Sequence, residues 1–111
     1  MKIAELKGAL GLEVVQGGFQ DVDLTCAYTS DLLSDVMAHA ASGCVLITIQ
    51  AHRNTVAVAS LVGSPAIVIC NGRPIPDDMV SAAVEEKIAV FSTGGSQFEI
   101  SGRIWEILHS R

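Results

Sequence analysis

Clusters of basic residues, long apolar runs and paired cysteines are all missing from this chain. Its seven Lys and Arg residues are scattered singly through 111 residues of net charge −5. A nucleic-acid footprint needs such residues gathered on one face, so no nucleic-acid partner is expected. No apolar run approaches the roughly 20 residues that span a bilayer, so no membrane association is expected either. The start shows no basic leader, apolar core and cleavage site, which makes the cytoplasm the expected location. Cys26, Cys44 and Cys70 are odd in number and far apart, with no C-x-x-C pair. That spacing argues against metal or iron–sulfur ligation and for small buried thiols in or beside strands of a reduced protein. Charge is scarce overall: 17% of residues are charged and half are apolar, which excludes disorder and favours a well-filled core. The length suits one domain, spanning residues 1–111.

What is present is an alternation of helices and strands, organised around residues 28–54. Ser30 is read as an N-cap, with Asp31 and Asp35 loading acid into the first turns, where the helix dipole favours it. Leu32, Leu33, Val36, Met37, Ala40 and Ala41 recur at helical spacing and form one apolar face, and Gly43 stops the helix. Residues 45–49 are a continuous apolar and β-branched run, the pattern of a strand covered on both faces. Asn54 can cap a helix over residues 55–62, closed by Gly63; this helix is apolar nearly all round and is expected to be largely buried. Residues 66–70 make the next strand and Asn71-Gly72-Arg73-Pro74 a turn. Pro76 suits the first position of a helix that runs to about Lys87, with Asp77 and Asp78 in its first turn. Residues 88–91 form a further strand. Ser96-Gln97-Phe98-Glu99 is a capping box that opens the last helix, whose core face holds Ile100, Ile104, Ile107 and Leu108. Before Ser30 the pattern is less regular: a short helix over residues 2–10, a short strand over 12–16, a Gly17-Gly18 turn, then an irregular or extended stretch to Thr29. Apolar strands separated by helices predict an α/β fold, a single domain with a mostly parallel sheet and helices on both faces.

In such sheets ligands bind beyond the carboxyl ends of the strands, where helix N-termini also converge. The turns expected there are His52-Arg53-Asn54, Asn71-Gly72-Arg73 and Ser92-Thr93-Gly94-Gly95. Together they offer two arginines, a histidine, hydroxyls and glycine amides, a set suited to a small anion such as a phosphate group. The competing reading is ordinary turn and cap chemistry. Thr93-Gly94-Gly95-Ser96 lacks the lysine and the spacing of a P-loop. His52 has no partner nucleophile placed by the sequence, so a turn or capping role suits it better than general base. Asp31 and Asp35 lie four apart and could act as a carboxylate pair, though dipole compensation explains them with less. No catalytic set, metal or cofactor is expected.

The run DLTCAYTSDLLSDVMAHAASGCVLITIQAHRNTVAVASLVGSPAIVICNGRPIPDDMV, followed by IAVFSTGGSQFEISGRIWEIL, resembles the DRTGG domain. The S-D-L-L-S-D-V-M helix and the T-I-Q-x-H turn carry most of the specificity. Members of that family occur alone, beside CBS domains in regulated pyrophosphatases, and in phosphate acetyltransferases. They are similar to the N-terminal domain of HPr kinase/phosphorylase, whose fold resembles the first domain of Mur ligases. The resemblance implies a non-catalytic regulatory or dimer-forming module. The naming motif is altered: Asp23 and Thr25 match, but Leu24 replaces the arginine and Cys26-Ala27 the two glycines. A surviving site is therefore expected at the later turns. The resulting expectation is a regulatory module for a small phosphorylated metabolite or nucleotide, or else a purely structural interaction module. A homodimer is expected, with Trp105 and Phe98 as the aromatics most able to anchor it although core packing is the default for both, and a partner enzyme such as a kinase, hydrogenase or CBS-domain protein is compatible with it.

Overall fold

The structure is a computed structural model that describes residues 1–110. Ten elements follow one another: α1 (Glu5–Leu10), β1 (Glu13–Gln16), β2 (Cys26–Thr29), α2 (Leu33–His39), β3 (Cys44–Thr48), α3 (Arg53–Val62), β4 (Ala66–Ile69), α4 (Asp77–Glu86), β5 (Ala89–Ser92) and α5 (Gln97–His109). The strands form one five-stranded sheet in the order β1-β5-β4-β3-β2. β2 to β5 are parallel, and β1 runs antiparallel to β5, with Glu13 opposite Ser92.

The parallel strands lie in sequence order, so each right-handed crossover steps the same way across the sheet. Right-handed crossovers stepping one way must keep their helices on one face. Accordingly α3 packs between α2 and α4, and this layer buries Val36, Val56, Met79 and Ala83 against Leu46, Ile67, Ile69 and Val90. The alternate strand residues Val45, Ile47, Val68 and Phe91 point to the opposite face, where α1 and α5 cover them with Leu6, Leu10, Ile100 and Ile104. Burial on both faces is why β3 and β4 read as unbroken apolar runs. The mostly parallel sheet with helices on both faces is thus as the sequence predicts.

Several local expectations need correction. Ser30 does not cap α2: Leu32 occupies the cap position, and Ser30 Oγ accepts from the Leu32 N–H in a turn just before the helix. α2 ends at His39, with Ala40 already extended, so Gly43 is not its stop. Gly43 (φ +85°) instead donates to Gly63 O and accepts from Thr25 N, leading the chain into β3. The apolar face read for α2 is only partly used. Val36 is buried and Ala40 packs partly buried beside the same core, while Leu32 and Met37 stay exposed. α3 is not buried all round either: Leu61 is exposed, while Thr55, Val56 and Ala59 face inward and Val58 and Val62 are half-buried beside them. Pro76 stands at the cap position rather than inside α4. The extended stretch ending at Thr29 supplies β2, the outer parallel strand.

Candidate functional site

The connections leaving β4 and β5 part company. β4 leads to α4 on one face, whereas β5 leads to α5 on the other. A crevice must open between neighbouring strands whose connections diverge, at their carboxyl ends. The structure has a cavity of about 540 Å³ there, lined by Glu13, Arg73, Ile75, Ser92, Thr93 and Gly94 among others.

Its floor is held by backbone pairing between the two connections. Asn71 N–H donates to Gly95 O and Gly72 N–H to Thr93 O, both at 2.9 Å, and Thr93 N–H donates to Ile69 O at 3.0 Å. These bonds require consecutive left-handed residues, Asn71 (φ +64°) and Gly72 (φ +61°), which is why the sequence places asparagine and glycine there. Thr93 Oγ1 accepts from Gly95 N–H at 3.1 Å. Ser96 Oγ caps α5 by accepting from Glu99 N–H at 3.1 Å, as the capping box predicts. The Glu99 side chain folds so closely over Gly95 that a Cβ at that position would collide with it. Among the described residues, the Gly94 N–H and the Arg73 guanidinium have no hydrogen-bond or ion-pair partner. The crevice is therefore lined by an amide donor and a cation without partners, with the Glu13 carboxylate on the β1 side, its far wall.

The ten residues singled out from the sequence fall into two groups. Gly72, Arg73, Ser92, Thr93 and Gly94 line the crevice, and Asn71 and Gly95 tie its floor together. His52, Arg53 and Asn54 lie elsewhere, at the start of α3. Here Asn54 is not the cap: His52 is, its Nδ1 accepting from Asn54 N–H at 3.0 Å. Arg53 lines a separate cavity of about 310 Å³ with Asp78, Ser81, Ala82 and Glu85. The two arginines are divided because α3 and α4 share one face, and Arg53 lines the cavity between those helices, apart from the crevice. Asp31 and Asp35 do not form a carboxylate pair. Asp35 Oδ2 accepts from the Tyr28 hydroxyl at 2.6 Å, and His39 Nδ1 is 3.1 Å from Asp35 Oδ1. The Tyr28 hydrogen bond is the main reason that the Asp35 carboxyl sits below its ordinary range and Tyr28 above its own. Cys44 and Cys70 are buried and Cys26 is half-buried.

A crystal structure of the CBS and DRTGG domains of the regulatory region of a Clostridium perfringens pyrophosphatase, complexed with the activator diadenosine tetraphosphate, has a similar fold. The TM-score is 0.73 at 13% identity, over 92% of this chain and 45% of that one. The fold is DRTGG-like. This chain spans less than half of that regulatory region. No family model matches the sequence, and no curated protein does.

Sequence reasoning missed the β1 side of the crevice, Glu13 and Val15. Their place depends on β1 pairing antiparallel with β5, across about 80 residues of chain, and no local signal carries such a pairing. Among the described residues, no helix is long and apolar enough to cross a membrane, and no group of three or more metal-ligating side chains occurs.

Proposed function

We propose that this chain is a non-catalytic regulatory module of the DRTGG family, one domain over residues 1–111, which binds a small phosphorylated metabolite or nucleotide in the β4/β5 crevice. The observation that carries this reading is the pair of unpartnered donors, Arg73 and Gly94 N–H, at the point where the two connections diverge. A phosphate group needs that combination, a charge-assisted contact plus a fixed amide. Glu13 opposes a second negative charge on the far wall, so the ligand should present a hydroxyl or amine there, as a ribose or an amino group would. The similar regulatory region is complexed with a nucleotide activator, which favours the same class of ligand here. The cytoplasm is the compartment in which such a module would act, on an enzyme such as a kinase, hydrogenase or CBS-domain protein. A purely structural module that only self-associates is the second reading, favoured by the exposed α5 aromatics Phe98 and Trp105.

The test is calorimetric titration with a panel of nucleotides and acyl phosphates, preceded by a thermal-shift screen, because a ligand that binds only the native state raises its stability. Arg73→Ala should weaken binding by about 10- to 150-fold, the range that corresponds to a charge-assisted hydrogen bond of roughly 1.5–3 kcal/mol. Arg53→Ala should bind like the wild type. A panel without a single hit, or equal affinity in wild type and Arg73→Ala, sinks the proposal.

A further inference from the structure

The α5 side of the sheet is filled unevenly. On β3, β4 and β5 it carries Val45, Ile47, Val68 and Phe91, packed under α1 and α5. On β2 the residues in register with Val45 and Ile47 are Ala27 and Thr29. These shorter side chains do not fill the space beside the second half of α5. A groove of about 330 Å³ results, with Ala27, Thr29 and Ser101 on one side and Trp105, Leu108 and His109 on the other. The Thr29 and Ser101 hydroxyls share a hydrogen bond of 2.6 Å, which ties the helix to the strand.

The α5 wall of the groove is aromatic. Trp105 is 66% exposed, so its ring contributes little to the core. It stacks on His109, with ring centroids 3.9 Å apart and planes 19° from parallel. His109 Nδ1 lies 2.9 Å from Trp105 O. A carbonyl can only accept, so Nδ1 carries the proton and Nε2 of the neutral ring is left as an acceptor. Among the described residues, neither His109 Nε2 nor the Trp105 indole N–H has a hydrogen-bond partner, and no second ring stacks on Trp105. No Asp, Glu, Lys or Arg lines the groove. The acids nearest in sequence, Asp23 and Glu106, are exposed outside the lining, and Asp35 is held by Tyr28 on the opposite face of the sheet. All three disfavour an anion here.

We infer that this groove is a second ligand site, separate from the β4/β5 crevice, and that it takes an uncharged planar nitrogen heterocycle such as a nucleobase or a pyridine carboxamide. Such a ring stacks on an aromatic face, and its edge supplies both the acceptor that the Trp105 N–H lacks and the donor that His109 Nε2 lacks. A phosphate would meet no cation in the groove and would be desolvated without a partner. A purely aliphatic ligand would cover the same two polar groups and leave them unpaired. The volume lies near the lower end of the roughly 300–1,000 Å³ of small-molecule sites, room for one ring system with a small substituent. The inference goes beyond phosphate binding in the crevice and does not depend on it.

Trp105 is the only tryptophan, so its emission reports on the groove directly. Adenosine, uridine and nicotinamide, all uncharged at neutral pH, are the probes. At least one should quench Trp105 emission saturably and shift the amide signals of Ala27, Thr29 and Ser101 in NMR spectra, leaving those of Arg73 and Gly94 in place. Trp105→Ala, at an exposed position, should weaken that binding by about 5- to 150-fold, the range of base–aromatic stacking. Ala27→Ile fills the groove from the strand with a residue that suits a strand. It should abolish binding while thermal stability is kept, a split that misfolding cannot produce. Inorganic phosphate is the control for the crevice: any shift it causes at the Gly94 amide should be the same in wild type and both variants. No response to any probe at about 5 mM, where a millimolar site is mostly filled, overturns the inference. So do amide shifts confined to Arg73 and Gly94, or an affinity that either substitution leaves unchanged. Trp105 emission that changes on dilution alone and ignores the probes would give the groove to a second copy of the chain, and would overturn the inference too.

Discussion

Gln16 is a long polar side chain taken into the interior, at 6% exposure, and it holds β1 in place. Its Nε2 donates to Ile88 O at 2.9 Å and Gly18 O at 3.1 Å, with a longer contact to Ala83 O at 3.4 Å. Its Oε1 accepts from Gly18 N–H. Replacing it with methionine keeps length and removes every one of these bonds. Ala83 O is still served by Ile88 N–H and Lys87 N–H, and exposed Gly18 can turn to water. The loss therefore concentrates on Ile88 O, which stays buried without its side-chain partner. One lost bond of about 1 kcal/mol plus a buried unsatisfied carbonyl at about 1–2 kcal/mol gives a destabilisation of about 2–3 kcal/mol. At roughly 4 °C per kcal/mol for a domain of this length, Tm should fall by about 8–12 °C. Urea unfolding is the assay, with the midpoint shifted and the slope unchanged. Gln16→Glu sharpens the test, because only the protonated carboxyl can donate to Ile88 O. Burial raises that carboxyl's folded-state pKa above its unfolded value. The Glu variant should then be most stable below the unfolded pKa and lose stability as pH rises through the folded one. A loss below about 0.5 kcal/mol for Gln16→Met, the scatter of ordinary surface substitutions, or a Glu variant insensitive to acid, would refute the reasoning.

Two further predictions concern titration and reactivity. Asp35 titrates below its usual range chiefly through the Tyr28 hydroxyl, so the stability it contributes is present above the unfolded carboxyl pKa and is lost as pH falls through the folded one. Tyr28→Phe should move the Asp35 titration, followed by NMR, back toward the ordinary value, and an unchanged curve would show that another group sets it. Burial, and then the neighbouring Cys26 thiol, pushes Cys44 up to about 11, and burial pushes Cys70 up to about 11. At pH 8 a thiol reagent should therefore modify Cys26 first and reach the other two only on unfolding, so three equal fast rates would contradict the burial of Cys44 and Cys70.

Sequence alone determined the parts of this protein that depend on local chemistry and periodicity. The apolar runs of β3, β4 and β5, the capping box at Ser96 and the turn at Asn71-Gly72 are legible because each is encoded within a few residues. The same holds for the crevice loops, since turns after parallel strands announce themselves by glycine, asparagine and hydroxyl residues. Caps were less legible: His52 took the role read for Asn54, and Leu32 the position read for Ser30, because several neighbouring polar residues can each satisfy a first turn. Only the tertiary structure decided which turns line one crevice. Strand order sends α4 and α5 to opposite faces, which opens the crevice between β4 and β5 and leaves Arg53 in another cavity. It also brought Glu13 to the far wall through an antiparallel pairing with Ser92, and it left the β2 edge open. Pairing between distant strands is a long-range choice settled by the packing of the whole core, and no single segment carries the information for it.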